Sequence, residues 1–202
     1  MKYQLKQIVK EFNEPTERPQ VPPEAIDEQM QVYIDHLLTK GIVEHNKMIY
    51  KEMVLFLAES KLDCREKGLA FFGSVGSGKS VAAKVIAAVQ GIDFYECHDN
   101  KLIAKFLSKE EYFWELVLKK ETIVLDDLGT ETTLNSYGNK KEVMSMAITE
   151  RHQLFEQYGV KTIITSNLAN DQIKERYGER IYSRLKHMCK CIGVKGADLR
   201  NN

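Results

Sequence analysis

The sequence predicts an α/β fold, a largely parallel sheet flanked by helices, and three observations carry that expectation. A glycine-rich octapeptide, Gly73-Ser74-Val75-Gly76-Ser77-Gly78-Lys79-Ser80, lies between the apolar run Leu69-Ala70-Phe71-Phe72 and a stretch rich in Ala and Val, at helical spacing, from Val81 to Gln90. Some 45 residues further on, a second apolar run, Thr122-Ile123-Val124-Leu125, ends in the paired acids Asp126 and Asp127. A third, Val160 to Thr165, ends in Ser166-Asn167. Short apolar runs alternating with helical patterns read as strands joined by crossover helices.

Taken in chain order, residues 1 to about 23 are polar and hold every proline, Pro15, Pro19, Pro22 and Pro23, so an extended or loosely ordered arm is expected. From Glu24 to about Lys61, Ile26, Met30, Tyr33, Ile34, Leu37 and Leu38 recur at intervals of three and four, Gly41 interrupts, and Ile49, Met53, Phe56 and Leu57 resume. This predicts two or three amphipathic helices, which either pack on the following domain or dock a partner. The boundary is set near residue 60, giving an extension over 1–60 and one α/β domain over 61–202.

After the strand–loop–helix unit, stopped by Gly91, Asp93 to Cys97 reads as a second strand. Residues 99–120 carry a helical pattern with Lys101, Lys105 and Lys109 on its other side. Tyr112, Phe113 and Trp114 there could stack nucleobases, but aromatics closing an amphipathic helix suit a core better. A long helix is expected from Lys140 to Tyr158, then the Val160 strand, a helix from near Asp171, and a last strand from Cys189 to Val194.

The octapeptide fits G-x-x-x-x-G-K-[ST], the phosphate-binding loop. Gly73, Gly76 and Gly78 let backbone N–H groups approach phosphate oxygens, Lys79 brings an ammonium to the β- and γ-phosphates, and Ser80 can ligate Mg²⁺. A helix starting there points its positive end at the same anions. The stretch from Gly73 to Val81 is therefore expected to hold a nucleoside triphosphate. Asp126 is positioned to hold the Mg²⁺ shell and Asp127 to orient the attacking water. Asn167, at the carboxyl end of its strand, either presents its amide to the γ-phosphate and water or caps the next helix. Asn170-Asp171 is the better cap, which favours the catalytic reading. Arg180 and Arg184 stand one helical turn apart, as arginine-finger candidates or as an ordinary charged helix face.

Composition narrows the class. Lys+Arg and Asp+Glu are both 29, so no global field draws the chain to nucleic acid, although residues 171–202 hold eight Lys/Arg against four Asp/Glu. No apolar run approaches a membrane span, and Met1-Lys2-Tyr3-Gln4 opens no secretory signal. Cys64, Cys97, Cys189 and Cys191 form no C-x-x-C pair and read as buried thiols in a reducing cytoplasm rather than a zinc site.

With these elements in order, the chain resembles the DnaC/DnaI-type helicase loaders and the related IstB-like transposition ATPases of the AAA+ class. The resemblance spans roughly Glu66 to Val194 and rests on four stretches: the phosphate loop, Ile123 to Gly129, Thr162 to Leu168, and Gly178 to Leu185. It implies a slow ATPase that loads a replicative DNA helicase onto single-stranded DNA, self-associating through its ATP site. It further implies Lys79 and Ser80 as Walker A, Asp126 as the Walker B metal acid, Asn167 as sensor 1, Arg184 as the trans-acting finger and Arg180 as its helper. Arg151 falls at a basic position of the family without an assignable role. Asp127 stands where many members carry Glu, the segment between Cys97 and Ile123 is short for an added DNA-touching helix, and no helical lid is expected after the last strand. A transposition helper binding duplex DNA and a transposase would share every motif. A small-molecule kinase would share the loop but would not need Arg184.

Overall fold

The computed structural model describes residues 22–39, 46–62, 66–98, 122–131, 134–136, 139–141 and 143–195. The expected extended arm before residue 22, and the helical pattern over 99–120 with Tyr112, Phe113 and Trp114, lie outside the described residues. The chain divides into two compact units, Met1–Arg65 and Glu66–Asn202.

The first unit holds two helices, α1 (Pro23–Thr39) and α2 (Lys47–Lys61). Pro23 is the first residue of α1, a position where a missing N–H costs nothing. Ile26, Met30, Tyr33 and Leu37 form the buried stripe of α1, and Ile49, Met53, Phe56 and Leu57 that of α2. Tyr33 and Tyr50 meet edge to face at 5.4 Å, and Lys61 pairs with Glu28. Asn46 caps α2 by accepting from the Met48 N–H at 3.0 Å.

The second unit is built on five parallel strands: β1 (Gly68–Gly73), β2 (Asp93–Glu96), β3 (Thr122–Asp126), β6 (Lys161–Ser166) and β7 (Cys189–Val194), in the order β2-β3-β6-β1-β7. A hairpin of β4 (Leu134–Ser136) and β5 (Asn139–Lys141) stands apart from it. The helices are α3 (Lys79–Gln90), α4 (Val143–Tyr158) and α5 (Asn170–Met188). Strand alternation sends Ala70, Phe72, Ile123, Leu125 and Ile164 into one core with Met144, Ala147 and Ile148 of α4 and Ile173, Ile181, Leu185 and Met188 of α5. Leu69, Phe71, Val124 and Ile163 face the other way and are also buried, on the side where α3 packs against β3 and β6. Both faces are thus covered, the condition under which parallel strands read as continuous apolar runs.

Three expectations need correction. The helix expected from Lys140 begins at Val143, because Asn139–Lys141 pairs in register with Leu134–Ser136 and the apolar spacing only starts at Val143. Asn170 does not cap α5 but is its first residue. Ala169 occupies the cap position, and the Gln172 side-chain oxygen accepts from its N–H at 2.8 Å. α5 is also not one straight helix: Gly178, at φ 83 and ψ 160, breaks it into two segments.

Candidate active site

The loop between β1 and α3 closes on its own lysine. Lys79, 3% exposed, donates from Nζ to Gly73 O at 3.0 Å, to Ser74 O at 2.6 Å and to Ser77 Oγ at 3.2 Å. Ser77 Oγ donates in turn to Ser74 O at 2.8 Å. An ammonium has three protons, so those three acceptors hold the loop as a ring around it. Glycine is required at the entrance: a Cβ on Gly73 would sit 2.1 Å from Val194 O, and its φ is +131°. Gly78, at φ 90, turns the chain into α3 and, having no side chain, offers no cap to the first turn of that helix. Its leading N–H groups therefore face the loop, the arrangement that binds anions. Ser74, Val75 and Val81 are exposed at the loop's rim, while Gly76 and Ser80 are half-buried.

The acids enter from β3. Asp126, 3% exposed, accepts from Thr165 Oγ1 at 2.5 Å. Burial raises its pKa from the ordinary carboxylate value, and the hydroxyls of Thr165 and Ser80 oppose that rise. The same Thr165 hydroxyl accepts from the Asp127 N–H at 2.9 Å, and Leu128 N donates to Thr165 O at 2.8 Å. Asp127 has φ 56, the only non-glycine in the left-handed region among the described residues. Such a conformation persists where surrounding bonds over-determine it, and here Thr165 supplies them. Asn167, from the end of β6, donates through Nδ2 to Asp127 Oδ1 at 3.1 Å.

The fold thus gathers the glycine loop, Lys79, Ser80, Asp126, Asp127 and Asn167 at the carboxyl edge of the sheet. Backbone donors and an ammonium suit a polyphosphate, and a serine hydroxyl together with a buried carboxylate suits a hard divalent cation. Arg184 lies elsewhere: its Nη1 donates to Thr149 Oγ1 on α4 at 2.5 Å, and Arg180 is exposed on the same helical segment.

Sequence reasoning missed three features. Thr165 orients both acids, and its only signal was a polar residue in an apolar strand. Glu131, buried just after the acids, accepts from Gly129 N at 2.9 Å and from Arg176 Nη2 at 3.3 Å, and also from Tyr177 OH. These bonds tie the loop after β3 to α5. Arg151, 0% exposed, donates from Nε to Thr162 Oγ1 at 2.9 Å and from Nη2 to Lys161 O, so it braces β6 from α4.

Strand order, loop and paired acids together define the P-loop fold of the AAA+ ATPases. No family model and no curated protein matches the chain. Among solved structures it is similar to the DnaC helicase loader, at 26% identity and TM-score 0.56, over 75% of this chain and 93% of that one. DnaI is similar at 24% identity and TM-score 0.52, over 76% and 88%. AMPPCP-bound DnaA from Aquifex aeolicus matches at 16% identity and TM-score 0.55, over 76% of this chain and 48% of its own. The DnaC-like character read from the motifs is therefore met again in the fold. No helix among the described residues is long and apolar enough to cross a membrane.

Proposed function

We propose that this protein is an ATP-dependent loader of a replicative DNA helicase. The observation that carries the reading is a lysine-closed glycine loop joined in one unit with paired acids, Asp126 held by Thr165 and Asp127 by Asn167, in a chain whose fold and sequence resemble the DnaC helicase loader. In this reading Gly73 to Val81 cradle the triphosphate, and Lys79 moves from the loop carbonyls to phosphate oxygens. Ser80 and Asp126 hold Mg²⁺, whose chemistry is to screen the phosphate charge.

Asp127 and Asn167, already hydrogen-bonded to each other, orient the attacking water. Asp127 carries a shorter acid than Glu, and its backbone is fixed by Thr165, so turnover is slow, in keeping with a switch. The site is completed by Arg184 of a neighbouring copy, released from Thr149 and assisted by Arg180, which makes ATP the agent of self-association. Residues 1–60 dock the helicase, and nucleotide state decides whether loader, helicase and single-stranded DNA stay together.

Gel filtration with the replicative helicase of the source organism, with ATP and Mg²⁺, tests the assignment. The full chain is expected to co-elute, and a chain lacking residues 1–60 is expected to bind ATP but not the helicase. Co-elution of the shortened chain would reject the docking role. Failure of the full chain to co-elute would reject the loader reading itself.

A further inference from the structure

Away from the nucleotide loop, the carboxyl-terminal turns of α4 and α5 bring together two imidazoles and a carboxylate. His152 and Glu156 stand one turn apart on α4, and His187 lies in the last turn of α5. His152 Nε2 is 2.9 Å from His187 Nδ1. Glu156 reaches both rings, with Oε2 3.4 Å from His152 Nδ1 and Oε1 3.9 Å from His187 Nδ1. Taking one ligand atom from each residue, the three atoms all lie within 4.8 Å of one another, and this is the only such group among the described residues.

We propose that His152, Glu156 and His187 form a binding site for a borderline divalent transition metal of the zinc class. The separations fit. Metal–nitrogen bonds of about 2.0–2.1 Å in a tetrahedron place neighbouring ligand atoms about 3.4 Å apart. The imidazole nitrogens need to part by only about half an ångström from 2.9 Å, while the half-exposed Glu156 side chain must bring Oε1 in from 3.9 Å and give up its contact with Nδ1, the other nitrogen of the His152 ring. Two neutral imidazoles and one carboxylate are an N₂O set that prefers such a metal to Mg²⁺ or Ca²⁺, which take oxygen donors. The set leaves a fourth position open to water, as three-ligand sites do.

The rings are also oriented: Phe155 packs edge-on against His187 at 5.5 Å between centroids. Glu156 offsets the Arg184 charge that His152 also feels. A bound ion would clamp α4 to α5 one turn from the Thr149–Arg184 hydrogen bond, so the site would report on, and bias, the position of that arginine.

Cobalt(II) titration of the full chain, nucleotide-free and in excess Mg²⁺, tests this by visible absorption. One equivalent is expected to bind with ligand-field bands, without a thiolate charge-transfer band, and to be displaced by Zn²⁺. His187→Ala, at an exposed position, is expected to keep the circular dichroism of the native chain. It should weaken binding at least about tenfold, since losing even an outer partner of a metal ligand costs that much. Zn²⁺ should raise the melting temperature of the native chain but not of that variant. Absence of ligand-field bands, a thiolate band, or unchanged affinity in His187→Ala would overturn the proposal and leave a plain imidazole–imidazole hydrogen bond.

Discussion

Replacing Thr165 with Val keeps the side-chain shape and deletes one hydroxyl that makes two bonds at the site. That hydroxyl is completely buried, donates to Asp126 Oδ1 at 2.5 Å and accepts from Asp127 N at 2.9 Å. A hydrogen bond to a charged group contributes about 1.5–3 kcal/mol, and a buried N–H left unpaired costs about 1–3 kcal/mol. The two losses share one site and do not simply add, so about 2–4 kcal/mol of folding stability is expected to go.

The pH dependence follows from Asp126, whose folded pKa is raised by burial. A group raised in the fold stabilises it fully below the ordinary carboxylate pKa, about 4, and that stability is lost as pH rises through the folded value. Removing the Thr165 bond, which opposes the rise, lifts that value further. Thr165→Val should therefore cost more near pH 7.5 than near about pH 4.5. Urea unfolding followed by circular dichroism at the two pH values measures both quantities, and Thr165→Ser, which keeps the hydroxyl, should recover most of the loss. A native-like midpoint for Thr165→Val, or an equal loss at both pH values, would refute the bridging role.

Two further outcomes follow from the same contacts. Arg151→Ala removes a buried guanidinium, leaves Thr162 Oγ1 and Lys161 O without its donors and opens a cavity, at a cost of about 3–5 kcal/mol in thermal or urea unfolding. Burial pushes that guanidinium down to about 10, so the charge itself is costly, and Arg151→Met, which fills the space, should lose less than Arg151→Ala. Asp126→Asn removes a buried carboxylate and should leave the nucleotide-free chain at least as stable at neutral pH. Fluorescent-nucleotide titrations should then show the affinity gained on adding Mg²⁺ falling by at least about tenfold.

The parts of this molecule that could be read from sequence are those whose signals are local. The β1–loop–α3 unit is written in one stretch, with Gly73 and Gly78 where the backbone needs positive φ. Asp126 ends an apolar strand, and Asn167, directly after the carboxyl end of β6, donates to Asp127. What stayed hidden depends on residues far apart in the chain. Thr165 acts on acids 38 and 39 positions earlier, and Tyr177 on Glu131 46 positions earlier. Arg151 stood at a basic position without an assignable role, and only the packing of α4 on β6 shows it buried and donating to Thr162. The late start of α4 was missed for the same reason: Asn139–Lys141 has no strand signal of its own and is held by pairing with Leu134–Ser136.

The central claim is that a triphosphate held by one copy's loop is completed by another copy's Arg184. The most direct measurement is ATPase activity of Lys79→Ala and Arg184→Ala chains, assayed alone and as an equal mixture. Each alone should be inactive. In the mixture roughly a quarter of randomly formed interfaces join an intact loop to an intact arginine, and activity should return in that proportion. A mixture no more active than its parts, or an Arg184→Ala chain that turns over at the native rate by itself, would contradict the account.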